Sequence, residues 1–257
     1  MVTIKSKREI ELMRQVCKVV ALTYEELEKN IKPGMTTYEL DKLAEKTMRS
    51  LGATPAQIGY DPGIRGVPKF PAATCVSVND EVIHGIPSRN RVIKEGDIVS
   101  VDTVALKNGF NGDAARTFIV GETSKENKRL VDVTKQAFFE GIKYAKAGNH
   151  LHDISKAIQQ YVEENGFSVV RDLVGHGIGK NLHEEPEVPN YKTIGRGPKL
   201  VPGMTLAIEP MVNAGAYDVW WLEDDWTVVT QDGSLSAHYE NTILITENEP
   251  VILSLRQ

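Results

Sequence analysis

At 257 residues, with a formal net charge of −5, 41% hydrophobic and 25% charged residues, the chain has the make-up of a globular protein able to bury a core, as one large domain or two small ones. No stretch approaches the roughly 18 consecutive apolar residues of a membrane span, the start MVTIKSKREIELMRQ lacks the apolar segment of a secretory signal, and no long basic run suits DNA, so a cytoplasmic protein without membrane attachment is expected. Cys17 and Cys75, the only cysteines, fall in a helix-like and a strand-like segment and are expected to be free thiols.

In chain order, the first helix is expected over SKREIELMRQVCKVVALTYEELEK, where Ser6 and Glu9 form a capping box and Ile10, Met13, Cys17, Val20, Tyr24 and Leu27 recur at helical spacing. A second helix opens with Thr36 and Glu39 and stops at Gly52. Strands are expected around 74–78, 98–106 and 110–120, the last two joined by a hairpin turn at KNG. Helices follow over 125–146 and 150–165, then strands around 167–174, 204–212, 219–229 and 239–245.

Helices followed by strands thus occur twice. KPGMTTYELDKLAEKTMRSLG (32–52) aligns without a gap with KAGNHLHDISKAIQQYVEENG (146–166), and EGDIVSVDTV (95–104) with PGMTLAIEPM (202–211). The second pair superposes Asp102 on Glu209. Pseudo-repeats over about 30–120 and 145–250, packed as one body, are the expectation.

Asp102 lies in the hydrophobic run VSVDTV, where an unpaired carboxylate is costly to bury. With the hairpin turning at Asn108 and Gly109, Asp113 faces residue 104 and shares a side with Asp102. Glu209 in LAIEPMV and Glu240 in SAHYENTILI are two further acids in apolar surroundings. For each acid a buried or edge salt bridge is the competing reading, but Lys and Arg are scarce near all four. Convergent carboxylates repel one another unless cations neutralise them. Oxygen-rich ligands with one imidazole suit two divalent ions such as manganese, ferrous iron or cobalt. The candidate imidazole is His176 in LVGHGIGKNLHEEP (173–186), where Gly175 and Gly177 leave room for a ligand to approach; taken alone, that stretch also reads as a polar surface loop.

With these residues in place, the chain resembles the type I methionine aminopeptidases. The resemblance spans essentially the whole chain and rests on VNDEVIHGIP (78–87), VDTV (101–104), NGDAARTF (111–118), GHGIGKNLHEEP (175–186), IEPM (208–211) and HYENT (238–242). It implies the α+β pita-bread fold, two pseudo-symmetric halves with a curved antiparallel sheet covered by helices, acting as one catalytic domain over 1–257. It implies that Asp102, Asp113, His176, Glu209 and Glu240 bind two divalent ions, with Asp113 and Glu240 bridging, Asp102 completing one ion and His176 and Glu209 the other.

By the same resemblance the nucleophile is a metal-bridging water or hydroxide. Glu209 shuttles its proton, His183 bonds the developing oxyanion and His84 meets the scissile nitrogen. Tyr60, Phe70, Cys75, Leu182 and Trp226 fall where the family lines a methionine pocket, with His84 and His183 beside it. Two departures stand out: the stretch 61–74 is longer than in the shorter members, and Leu182 occupies a position where an aromatic ring is common, which softens that wall. The implied function is removal of the initiator methionine from nascent proteins with a small second residue, by a monomer in transient contact with the ribosome.

Three other readings compete. A prolidase or aminopeptidase P relative usually carries a further N-terminal domain for which this length leaves no room. An inactive binding module of the same fold loses ligands, whereas all five are present here. Type II members carry an insertion in the second half, and none is found between Gly175 and Glu240.

Overall fold

Residues 2–255 are described by the computed structural model. Helix α1 (Lys7–Asn30) begins at the Ser6–Glu9 capping box, and α2 (Thr37–Ser50) at the equivalent Thr36–Glu39 box. After β1 (Thr54–Pro55) come β2 (Cys75–Val78) and β3 (Glu81–Ile83), then the long hairpin of β4 (Ile98–Lys107) and β5 (Phe110–Ile119). Its turn has Asn108 at φ 54° and Gly109 at φ 78°, the left-handed pair that a two-residue hairpin requires. Helices α3 (Lys125–Ile142) and α4 (Leu151–Glu164) lead into β6 (Ser168–Val169), β7 (Gly175–Gly177), β8 (Glu184–Val188), β9 (Thr205–Ile208) and β10 (Met211–Asn213). The chain ends with β11 (Val219–Trp221), β12 (Val228–Thr230), β13 (Ser236–His238), β14 (Glu240–Leu244) and β15 (Val251–Ile252).

Among the described residues, the main sheet runs β1-β4-β5-β14-β9-β7-β8, all antiparallel, with β2 added on β4 and β15 on β14. Strand alternation gives it two chemically different faces. Val99, Val101, Ala105 and Ala114 join the core under α1 and α2, and Leu206, Ile208 and Ile243 join the core under α3 and α4. The intervening residues, Asp102, Val104, Asp113 and Glu209 among them, line a cavity on the other face.

Positions aligned between the two halves share their geometry. Gly34 and Gly148 have φ 90° and 93°, Gly52 and Gly166 have 72° and 78°, and Gly96 and Gly203 have 88° and 92°. Gly34 N–H donates to Ile93 O at 2.8 Å, as Gly148 N–H does to Leu200 O at 3.0 Å.

Several expected elements are shorter or split. The third helix stops at Ile142 instead of 146, because the chain tightens into three-residue turns, Tyr144 N–H to Gly141 O and Ala145 N–H to Ile142 O. The strand expected over 204–212 breaks at Pro210, which has no N–H to donate, and its two pieces enter different sheets. The stretch 219–229 is a hairpin, not one strand: the Asp224 carboxylate accepts from the N–H groups of Trp226 and Thr227, and Asp225 turns at φ 63°. Of 167–174, Ser168–Val169 pairs with β10, and Val170 adds one N–H bond to Met211 O at 3.0 Å. Tyr239 is a corner between β13 and β14, which belong to different sheets. Strands β1, β3, β7, β8, β13 and β15 fall outside the expected ones.

Candidate metal centre and pocket

Five neighbouring strands each deliver one of the five candidate ligands. Asp102 lies in β4, Asp113 in β5, Glu240 opens β14, Glu209 directly follows β9, and His176 is the middle of β7. Register puts them on one face: Asp102 pairs with Ala115, Ala115 with Glu240, and His176 with Ala207, two residues before Glu209. Asp113 lies opposite Val104, one diagonal step from Asp102, as the hairpin turn requires. Ala115 and Ala207, fully buried, form a low floor between the carboxylates.

Ligand atoms of Asp113, His176 and Glu240 come within 4.8 Å of one another. His176 Nε2 stands 3.8 Å from Asp113 Oδ2 and 3.7 Å from Glu209 Oε1. The supports are specific. Thr242 clamps Asp113 through its hydroxyl, which accepts from Asp113 N–H at 3.0 Å and donates to Asp113 O at 2.8 Å. Asn190 Nδ2 donates to Glu209 O at 3.1 Å. Asp113 Oδ1 and Glu240 Oε1 are buried without any hydrogen-bond partner.

Burial first, then mutual repulsion, raises these acids. Asp102 is pushed up to about 7 by burial, and Asp113, Glu209 and Glu240 lie well above the ordinary carboxylate range. Among the described residues no lysine or arginine forms an ion pair with any of the four; the groups facing them within 4.0 Å are the imidazoles of His176 and His238, which burial keeps neutral. Arg116, the near cation, spends its guanidinium on the carbonyls of Ala115 and Glu240 and on Asn241 Oδ1. The salt-bridge alternative therefore has no partner residue. Burial lowers the imidazoles in turn, His176 to about 3 and His84 to about 4.

Gly175 and Gly177 have a different purpose from the expected room for a ligand. Neither takes a left-handed φ; a Cβ on Gly175 would lie 2.3 Å from Ala207 O and one on Gly177 2.2 Å from Glu185 O. They let β7 squeeze between β9 and β8, which delivers His176 to the centre. Glu184, in the same stretch, forms a buried ion pair with Lys5 at 2.6 Å.

The centre floors a cavity of about 590 Å³, which Tyr60, Phe70, Cys75, His84, Leu182, His183 and Trp226 also line. Phe70, Cys75 and Trp226 pack into one buried cluster with Tyr60 against it. Trp226 meets Phe70 edge-on at 5.1 Å and His84 at 5.9 Å, and its indole N–H donates to Pro68 O at 2.8 Å, tying down the stretch 61–69. Cys75 pairs with Asp102 in register, so the thiol stands beside the carboxylate row; both cysteines are free. His183 lies at the mouth, its ring 4.3 Å from that of His176 and its Nδ1 2.6 Å from the Tyr60 hydroxyl. His84 holds φ 60°, unusual for a residue with a Cβ and a mark of functional sites.

Two residues at the site escape sequence reasoning. Gln57 Nε2 lies 3.4 Å from Cys75 Sγ and 3.5 Å from Asp102 Oδ1. His238 Nε2 faces Glu209 Oε2 at 3.8 Å. The period-two spacing of His238 and Glu240 was an available signal for the second; nothing local marks Gln57.

Comparison with known proteins follows the same lines. The profile of metallopeptidase family M24 matches residues 11–247. A methionine aminopeptidase of Clostridium acetobutylicum is 58% identical over 255 residues, covering 99% of both chains. Methionine aminopeptidase 1 of Bacillus subtilis is 51% identical over 247 residues, covering 96% of each. The crystal structure of a methionine aminopeptidase from Thermotoga maritima superposes with a TM-score of 0.95 at 50% identity, covering 100% of both chains.

Proposed function

The chain belongs to metallopeptidase family M24, and from that premise we propose that it removes the N-terminal methionine from nascent polypeptides whose second residue is small. The observation that carries this reading is the joint one: four carboxylates and an imidazole without a compensating cation, beneath a wall of Phe70, Trp226 and Cys75. The pita-bread fold of the family accounts for the sheet that assembles them.

Use of divalent metal follows from the family, and the residues present fit it. Orphaned oxygens on Asp113 and Glu240, inside a cluster that cannot ionise fully on its own, are what a cation satisfies. Two ions of the manganese, ferrous iron or cobalt class would be held by Asp102, Asp113, His176, Glu209 and Glu240. When bound, the ions supply Lewis acidity that brings a water molecule's pKa toward neutrality.

The chain's own residues do the rest. Glu209, whose proton affinity is raised by burial and by its neighbours, accepts a proton from the attacking water and returns it to the leaving amine. The Tyr60 hydroxyl stands 2.6 Å from His183 Nδ1; with the hydroxyl as the donor, His183 carries its proton on Nε2 and offers it to the carbonyl oxygen as negative charge develops. His84, kept neutral, contacts the scissile nitrogen. Phe70, Trp226, Tyr60 and Cys75 enclose an unbranched thioether, and Leu182 completes the rim.

Ligands come from both halves, joined by the β5·β14 ladder, which supports one catalytic domain. Among the described residues no helix is long and apolar enough to cross a membrane. We place the enzyme in the cytoplasm as a monomer that meets its substrates near the ribosome, a reading supported by the substrate class; the net charge of −5 disfavours DNA.

The test is hydrolysis of Met-Ala-Ser, Leu-Ala-Ser and Ala-Pro-Ala by metal-stripped protein with manganese, ferrous iron or cobalt added back. Met-Ala-Ser alone should be cut efficiently, and norleucine, differing from methionine by about 1–3 kcal/mol at most, should be cut measurably. Faster cleavage of Ala-Pro-Ala would make it a prolidase-type enzyme. Full activity under chelation would end the metal reading.

A further inference from the structure

His238 is 1% exposed, and neither of its ring nitrogens has a hydrogen-bond partner. A neutral imidazole carries one N–H and one lone pair, and burying that N–H without an acceptor is unfavourable. Among the described residues the one carboxylate within 4.0 Å of the ring is Glu209, whose Oε2 lies 3.8 Å from Nε2. The other oxygen of Glu209 faces His176. Glu209 therefore stands between two imidazoles, only one of which is needed as a ligand.

The backbone holds this pair in place. His238 N–H donates to Thr117 Oγ1 at 2.8 Å, and the same hydroxyl donates to His238 O at 2.9 Å. His238 pairs with Met211 in the β10·β13 ladder, and Tyr239 N–H donates to Pro210 O at 3.2 Å. The segments 209–211 and 238–239 are zipped together, so the ring cannot turn to another acceptor by backbone movement.

We propose that His238 is a positioning residue that donates its Nε2–H to Glu209 Oε2, fixing the orientation of that carboxylate as metal ligand and proton carrier. The proposal rests on the reading of Glu209 given above. Ionised Glu209, the form a metal selects, is the stronger acceptor and closes the gap seen here. A ligand's outer hydrogen-bond partner tunes both affinity and reactivity, by about 10- to 100-fold.

Nitrogen NMR of zinc-loaded wild-type protein reads the tautomer without any substitution. A proton on Nε2 of His238 is expected; a proton on Nδ1 overturns the proposal. In calorimetry, His238→Met, similar in bulk but without a donor, should weaken the metal site to which Glu209 contributes about 10-fold and lower kcat on Met-Ala-Ser with KM little changed. His238→Gln, whose amide donates, should restore both. Equal affinity and kcat in the Met and Gln variants, at matched melting temperatures, also overturn it. Glu209→Gln is run alongside: two metals bound undiminished there would remove Glu209 from the ligand set and the proposal with it, a signature distinct from failure at His238 alone.

Discussion

His176 and His183 show how much two imidazoles with rings 4.3 Å apart can differ. His176 is driven into the carboxylate cluster by its strand, while His183 stands at the exposed mouth and leans on Tyr60. Replacing His183 by Ala should lower kcat by roughly 10²-fold with metal content unchanged, as for loss of an oxyanion donor. Replacing His176 by Ala should lose metal first and activity in consequence. Steady-state kinetics beside metal analysis separates the two; metal loss from the His183 variant would make it a ligand instead. The acids were legible because a carboxylate inside an apolar strand such as VSVDTV demands an explanation within the sequence itself. His238 and Gln57 make no such demand, since a histidine or glutamine is unremarkable until its neighbours are known.

At the scale of elements, the short strand β7 is where local sequence and packing meet. Its two glycines are needed by the neighbouring strands and not by any turn: at Gly175 a Cβ would lie 2.3 Å from Ala207 O and 3.3 Å from Glu209 Cγ. Gly175→Ala should therefore force β7 away from β9, costing about 1–3 kcal/mol of stability and weakening metal binding as His176 and Glu209 separate. Gly195→Ala is the contrast, because Gly195 has φ 79° but open space around its Cβ, so it should lower the melting temperature slightly and leave metal affinity intact. Scanning calorimetry and metal titration of both variants decide the matter; an unperturbed metal site in Gly175→Ala would refute the packing argument. The long hairpin of β4 and β5 could be read in advance, since KNG dictates the turn and the turn dictates the register. The hairpin of β11 and β12 could not, although the polar run LEDD held the Asp224 turn that forms it.

For the molecule as a whole, the buried carboxylates set the pH dependence of the metal-free protein. Asp102 rises from 3.8 to about 7, and Asp113, Glu209 and Glu240 are also held well above their ordinary values by burial and by one another, so the stability tied to their neutral forms is complete below the unfolded values and is lost as pH climbs through the folded ones. The histidines act oppositely. His84, lowered from 6.5 to about 4, and His176 and His238, lowered to about 3, destabilise only as pH falls below 6.5. Between pH 7 and 8 the histidines contribute only a small slope of the opposite sign, so the stripped protein should lose up to about 1.4 kcal/mol per pH unit for each carboxyl still protonated when folded, less that small gain. Metal-loaded protein should not, because the ions select the ionised form; melting curves of both at pH 7 and pH 8 check this, and equal slopes would refute it. The sequence alone determined the helices, the hairpin register, the aligned glycines and the candidate ligands, because capping, turn geometry and the cost of a buried charge all act over a few residues. Only the tertiary structure decided that five neighbouring strands bring Asp102, Asp113, Glu240, Glu209 and His176 to one face, and that His238 and Gln57 stand behind them. Strand order across a sheet is set by long-range packing of helices on its far side, and no local pattern records it.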